Sequence, residues 1–373
     1  MPVTSHPPSG SRGFALAVSL FALVLLGALV AGAFFSARQA MRLGTNVRDS
    51  QRALAAAEAG LAAALGGWRS AAFGALPPGR SSVFSGMLPG GTGSYAGTVL
   101  RLNRGLFLVR STGTDAGGVS RRTVAWLVRP APAALAVAAA LTVTEGLELG
   151  SGIAVDGEDQ TVGPGCAAAG GAMPGILVAG ATRVLFTGCA DSSCVRGSPP
   201  FRVASAGEDS AARAAADGAW ATLGAAAVKV YEAGDLPLEH PQPVGTATAC
   251  DTAVRENWGG ASVPGCAHYY PIVLARGSLR LVGGSGQGIL LVTGDLSVDG
   301  GFIFEGPVVV GGRLVVEGSG GHFLGGVRAR SATLTPSAAG SAELVFSRCA
   351  LANALLSNAP ANPLAERSFS ELY

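Results

Sequence analysis

GILLVTGDLSVDG, residues 288–300, is answered at an offset of 18 by GPVVVGGRLVVEG, residues 306–318, with Gly, Val, Gly, Leu, Val, an acid and Gly recurring in step. One short coil of strand, glycine turn and strand per repeat is the pattern of a β-solenoid, in which a coil hides its apolar side only by stacking on the next. Looser copies follow at 326–335 and 342–347. LTVTEGLELGSGIAVDG from Leu141 and GILVAGATRVLFTG from Gly175 have the same texture and are expected to be the first coils.

The composition agrees with a β-rich chain. Of 373 residues 56 are Gly, scattered among Val, Leu and Ile without a collagen period, and 49% are hydrophobic against 13% charged. That leaves ample material for a core and calls for many tight turns. Net charge is +2, from 26 basic and 24 acidic residues with no dense basic run, so the field that draws nucleic acid to a protein is missing and no nucleic-acid function is expected. Between the early and late coils, 189–277 changes character, with Pro199-Pro200, a helical run DSAARAAADGAWATLGAAAVKVYE and a Pro-rich segment. It is expected to be an insertion over one face of the solenoid. The segment after Cys349 is expected to hold a short helix, with Leu351, Leu355 and Leu356 inward, that caps the open solenoid edge, followed by an extended tail.

Upstream, GSYAGTVLRLNRGLFLVRSTGTDAGGVSRRTVAWLVRP contains three β-rich runs, near 94–102, 106–112 and 120–128, separated by Asn103-Arg104-Gly105 and by the turn from Asp115 to Gly118. This is the pattern of an antiparallel meander. Six cysteines, Cys166, Cys189, Cys194, Cys250, Cys266 and Cys349, fit three disulfides and an oxidising compartment. Cys189 with Cys194 would close a small loop, Cys250 with Cys266 a larger one, and Cys166 with Cys349 would remain for a long-range tie, one of fifteen connectivities.

No catalytic or cofactor motif is present: no GxxxxGK[ST], HExxH or GxSxG, and the GxGxxA match from Gly91 to Ala96 is followed by no helix. His240, His268 and His322 stand apart from one another, so neither a metal site nor a cofactor is expected. Asp295, Asp299, Glu305 and Glu317 are the acids a polysaccharide-cleaving solenoid would need in pairs. Asp299 and Glu317 each precede a repeat-ending Gly, as Asp156 precedes Gly157, where a solvated turn acid belongs. Tyr269-Tyr270 beside His268 is either a recognition patch or part of the core. The chain is not expected to be an enzyme.

The N-terminus carries the functional signal. From Gly13 to Ala37 there is no charge, and GFALAVSLFALVLLGALVAGAFF supplies 23 apolar or small residues, enough to span a hydrocarbon core of ~30 Å. The run is longer than a signal-peptide core and flows directly into helix-forming sequence, with Leu43, Val47, Leu54, Leu61 and Leu65 at spacings of 4 and 7. Ser11-Arg12-Gly13-Phe14 before the apolar run resembles the processing site of type IV prepilin-like proteins, which a prepilin peptidase cuts after the Gly. Ala56-Ala57-Glu58-Ala59-Gly60-Leu61 resembles the corresponding segment of PilX-type pilus assembly proteins and of large minor pseudopilins. The likeness covers about the first 65 residues. Pilins carry Glu five residues after the cut, and here that position is Val18, a departure that resembles minor or priming subunits.

The resemblance implies a cleavage between Gly13 and Phe14, lateral packing on other pilin-like helices, and a sheet packed on the second half of the helix. Gly27, Ala28, Ala31 and Gly32 are the small residues expected to permit close helix approach. The charges flanking the span, Arg12 before it and Arg38 and Arg42 after it, run against the positive-inside rule. The cysteines and the resemblance instead place the C-terminal part outside the cytoplasmic membrane, with one span and incorporation in a pilus. The expected fold class is therefore mainly β with a long N-terminal α-helix: one membrane-spanning pilin-like helix, a small antiparallel sheet and a Gly-rich β-solenoid. The expected organisation is a leader over 1–13, helix over 14–66, linker over 67–91, antiparallel β region over 92–130, first coils over 138–188, insertion over 189–277, solenoid over 278–348, and cap and tail over 349–373. The function expected is a structural minor pilin-like subunit of a pilus or type II secretion-like machine, with a membrane-tethered adhesin or envelope protein that is not prepilin-processed as the alternative. Its expected partners are other pilin-like subunits, prepilin peptidase and membrane lipid.

Overall fold

The structure, a computed structural model, describes residues 12–68, 73–103, 105–133, 135, 137–161, 166, 170–180, 182–189, 193–233, 238–364 and 369–372. It is mainly β with a long N-terminal helix, an antiparallel sheet and a large parallel stack. Helix α1 (Arg12–Gly66) is unbroken over 55 residues, about 80 Å.

The antiparallel sheet has β1 (Ser81–Met87), β2 (Gly93–Asn103), β3 (Leu106–Asp115) and β4 (Arg121–Pro130) in that spatial order. Asp115 tightens the β3–β4 turn by accepting from the amides of Gly117 (3.0 Å) and Ser120 (2.6 Å), and the Ser120 bond foremost lowers its pKa. Two expectations change here. Part of the anticipated linker over 67–91 is strand β1, whose Ser, Gly and Met positions disguise its alternation of exposed and half-buried residues. The C-terminal segment is not a free tail, since Ala361–Pro363 and Phe369–Leu372 both pair with β4.

The stack begins in its own middle. Strands β5 (Leu141–Leu149) and β6 (Ile153–Asp156) form one coil, and β7 (Ile176–Val178), β8 (Arg183–Phe186) and β9 (Val195–Arg196) form the next, paired in parallel on it. β10 (Phe201–Val203) adds a strand to β7. Helix α2 (Ala206–Ala225), started by a Ser205/Glu208 capping box, then runs back along one face of the stack. At the far end β11 (Lys229–Glu232) and β12 (Leu238–Glu239) open a second series. It continues through β13 (Ile272–Arg276), β14 (Leu279–Val282), β15 (Ser285–Gln287), β16 (Ile289–Val292), β17 (Leu296–Asp299), β18 (Phe302–Val310), β19 (Arg313–Val316), β20 (Gly320–Leu334) and β21 (Ser341–Phe346).

Each coil of this second series lies one level nearer the first, until β20 pairs with β5 and β21 with β6. On the face under α2 the strand order is β10, β7, β5, β20, β18, β16, β13, β11. Seven steps of ~4.8 Å make about 34 Å, which a helix of 20 residues, about 30 Å long, nearly spans. The length of α2 is thus what this return requires.

The anticipated insertion over 189–277 is corrected by this topology. Strands β9 to β13 lie within that range and belong to the stack, and the expected helical run ends at Ala225, with Lys229–Glu232 forming a strand. What does cover an end is the loop between β12 and β13. Lys229 and Tyr231 point inward from the terminal coil, and their polar tips donate to backbone carbonyls lying across it, Lys229 to Thr252 (2.9 Å) and Val254, Tyr231 to Arg255 (2.7 Å). Trp258, fully buried, plugs the interior against Phe302 and Phe304 and donates to the Tyr231 hydroxyl at 2.9 Å. Helix α3 (Arg348–Ser357), the anticipated end cap, lies on a side of the stack instead, burying Leu351 and Ala354, with Asn358 donating to the Tyr270 carbonyl at 2.8 Å.

Alternation builds the core: Leu290, Val292, Val308, Val310, Val327, Leu141, Val143, Ile176 and Val178 point inward from successive strands of one face. The corner before that face needs glycine. Gly288, Gly306 and Gly325 sit there on consecutive coils with φ of 115°, 132° and 144°, and a Cβ on Gly306 or Gly325 would approach the backbone of the preceding corner to under 3.0 Å. The recurrence of Gly288 as Gly306 in the sequence repeat is this corner repeated.

Candidate functional site

Helix α1 divides into two lengths with different surroundings. From Ala53 onward it lies on the antiparallel sheet: Ala53, Ala56, Ala57, Leu61 and Ala64 are buried, and Ala57, Leu61, Ala64 and Trp68 pack with Val99, Phe107, Val109, Val124 and Val128. Gly60 and Gly113 make this approach possible. A Cβ on Gly113 would lie closer than 3.0 Å to the backbone of Ala53, Ala56 and Ala57, and one on Gly60 would strike Ser111 and Tyr95. The segment from Ala56 to Leu61 is therefore the helix–sheet contact, with Glu58 turned to solvent.

The first length projects. Every residue whose side chain is described from Phe14 to Arg48 is exposed, including Phe14 (75%), Leu29 (70%) and Phe34 (74%), and the most apolar 18-residue window has a mean hydropathy of 2.5 with none of it buried. The stripe read from the sequence is corrected at its start: Leu43 and Val47 are exposed, and burial begins only where the sheet does. Polar groups on this length are satisfied within the helix, Ser19 donating to the Leu16 carbonyl (2.9 Å), Ser36 to Gly32 (2.9 Å) and Thr45 to Met41 (3.0 Å). Hydrocarbon demands such internal satisfaction. So large an apolar surface is not stable facing water, and it calls for lipid or other apolar helices around it.

Gly27, Ala28, Ala31 and Gly32 lie on this bare length, and a Cβ on Gly27 or Gly32 would meet nothing within 4 Å. Gly13 and Phe14 stand in the first turn of α1, while residues 1–11 lie outside the described residues.

The cysteines form Cys166–Cys349, Cys189–Cys194 and Cys250–Cys266. The first joins the β6–β7 connection to the first turn of α3, just after β21, across the place where the two series of coils meet. Around it Ser347 donates to the Gln160 carbonyl (2.7 Å) and Asp159 accepts from the amide of Arg348 (2.8 Å).

The acids and aromatics singled out in the sequence are structural where the geometry assigns them. Asp295 accepts from the amide of Arg313 (2.8 Å) and Asp299 from that of Ser319 (2.7 Å), each tying a turn to its counterpart one coil on. Glu317 accepts from Ser297 at 3.4 Å, and Glu305 is half-buried, which raises its pKa. Tyr270 is buried under α3, and burial pushes the Tyr269 hydroxyl up to about 12. Among the described residues no group of three or more His, Cys, Asp or Glu is placed to hold a metal ion.

One feature had no motif to announce it. A cavity of about 280 Å³ lies between α2 and the stack, lined by Thr144, Arg213, Asp217, Trp220, Val309 and Arg328 among others. The only trace in the sequence is Val327-Arg328-Ala329-Arg330, whose alternation puts arginines outside.

No protein-family model matches the chain, and no curated protein matches it. Among solved structures, the competence-associated pilin ComZ from Thermus thermophilus matches with 14% identity over 87% of this chain and 96% of that chain. The TM-score is 0.25, at which the two do not superpose as whole bodies.

Proposed function

We propose that the chain is a minor pilin-like subunit of a type IV pilus or type II secretion-like machine. Prepilin peptidase removes residues 1–13 by cutting between Gly13 and Phe14. The apolar length of α1 holds the protein in the cytoplasmic membrane as a single span, with the sheet and the stack outside, and then packs among other pilin-like helices through Gly27, Ala28, Ala31 and Gly32. The observation that supports this reading is the contrast along α1, apolar to Ala37, bare to about residue 48 and clamped on a sheet from Ala53. A plain anchor needs only about 20 apolar residues and no rigid continuation into the head. Here one helix couples the membrane segment to the sheet, as a subunit passed from bilayer to fibre requires.

The segment from Ala56 to Gly60 keeps the likeness to PilX-type proteins within this proposal, and the stack with its closed far end is the capping or partner-binding head. The rival, a tethered adhesin that is never processed, draws on Val18, where pilins have Glu. Mechanical shearing of cells separates the two: the subunit reading expects part of the protein in the sheared filament fraction, less of it for Gly27→Leu/Ala31→Leu at equal membrane levels. Complete retention in the membrane fraction favours the adhesin.

A further inference from the structure

On the outer side of the stack beneath α2, consecutive strands present one ladder: Leu274, Leu291, Val309, Arg328, Thr142, Leu177. Leu274, Leu291 and Val309 are buried against an apolar layer that includes Leu223 and Trp220 of α2. At the next level the ladder breaks. Arg328 stands where another aliphatic residue would continue the layer; it is partly buried, and its guanidinium has no hydrogen bond or ion pair among the described residues. Its neighbours are already engaged: Arg213 donates to Asp209 at 2.7 Å, and Arg330 lies 3.5 Å from Glu145. Burial lowers the pKa of Arg328, and Asp217 lines the same cavity without closing on it. Arg328 faces the cavity with no protein acceptor among the described residues on its guanidinium, so the cavity offers a donor fork to an acceptor that enters it.

The rest of the lining narrows the acceptor. Trp220 and Val309 supply an apolar wall, while Thr144 and Asp217 add a hydroxyl and a carboxylate. A pyranose has an apolar C–H face and a rim of hydroxyls that both donate and accept, which such a mixed lining suits. An inorganic anion would use Arg328 and leave the apolar wall idle. We propose that this cavity binds a sugar carrying a carboxylate, a uronate unit: the carboxylate on Arg328, the ring against Trp220 and Val309, and ring hydroxyls on Asp217 and Thr144. The size of the cavity admits one ring, the end or a single unit of a glycan. The assignment holds whether or not the helix assembles into a fibre.

Saturation-transfer NMR on the full chain in detergent micelles tests it, with sodium D-glucuronate, D-glucose and sodium acetate as probes. The expected result is saturable transfer to the ring protons of glucuronate with half-saturation on the order of 1 mM, and binding of glucose and of acetate weaker by at least tenfold. Arg328→Gln should weaken glucuronate by at least tenfold without lowering the unfolding temperature, since it removes an unpaired, partly buried charge. An arginine held only for packing would lose stability instead. The proposal is overturned by no saturable glucuronate signal at about 50 mM, by acetate or glucose binding as tightly as glucuronate, or by undiminished binding to a folded Arg328→Gln variant. The comparison of the three probes on the unaltered protein decides the matter even if that variant does not fold.

Discussion

Replacing Cys166 and Cys349 together by serine should lower stability by about 5 kcal/mol and open the stack at one level only. The disulfide spans 183 residues, for which the chain-entropy relation gives about 5 kcal/mol, against about 2 kcal/mol for Cys189–Cys194 with a separation of 5. Topology concentrates the loss. From β13 onward each coil of the second series is joined to the next by a short turn, but β5 and β6 meet β20 and β21 with no short connection between them. That seam is held by ladder hydrogen bonds, the Ser347–Gln160 and Arg348–Asp159 contacts and the disulfide. Native-state hydrogen exchange is the measurement. Amides of β5, β6, β20 and β21 at the seam should lose protection in the double variant before those of β14, β16 and β17. Equal loss along the whole stack would show that the coils unfold as one unit and that the seam is no weaker than its neighbours.

Gly113→Leu should detach α1 from the sheet. The new Cβ alone would press on the backbone of Ala53, Ala56 and Ala57, and a helix backbone cannot move aside as a flexible side chain can. Overpacking costs about 1–3 kcal/mol where a core adjusts. Here the adjustment is separation of the helix from Val99, Val109 and Val124, so the cost should reach about 3 kcal/mol or more, with limited proteolysis now cutting after residue 48. Gly44→Ala is the control. Nothing lies within 4 Å of a Cβ there, and the substitution should leave the sheet contact intact while strengthening the helix by about 1 kcal/mol. Equal proteolysis of both variants would remove the close-packing argument.

These two sites mark how far the sequence could be followed. The 18-residue offset between 288–300 and 306–318 is the register of the structure, where Leu290 faces Val308 and Leu296 faces Leu314. Local periodicity was enough for that, and for the three central strands of the antiparallel sheet. The order of the coils was not legible. Nothing local distinguishes a stack that starts at one end from one that starts in its middle, because the β5–β20 pairing depends on residues nearly 190 positions apart, such as Val327 and Leu141. Two of the strands between Cys189 and Gly277 were hidden for a local reason: Val195–Arg196 and Leu238–Glu239 are two residues long, too short to show alternation. Strand Phe369–Leu372 pairs with β4 across some 245 positions, a distance at which a tail and a strand look alike.

The candidate site divides the same way. The apolar run of α1 was legible because composition alone sets its affinity for hydrocarbon. Leu43 and Val47 were misplaced because a helical stripe shows which residues share a face and not where a partner surface begins. The cavity at Arg328 left only the alternation of residues 327–330, being assembled from α2 and three levels of the stack.

Mass spectrometry of the mature N-terminus, on protein isolated from cells with and without prepilin peptidase, tests the proposed function most directly. The expected result is a chain beginning at Phe14 only where the peptidase is present. An intact residue 1–13 segment in both strains would contradict it and leave α1 a membrane tether, with Val18 marking the departure.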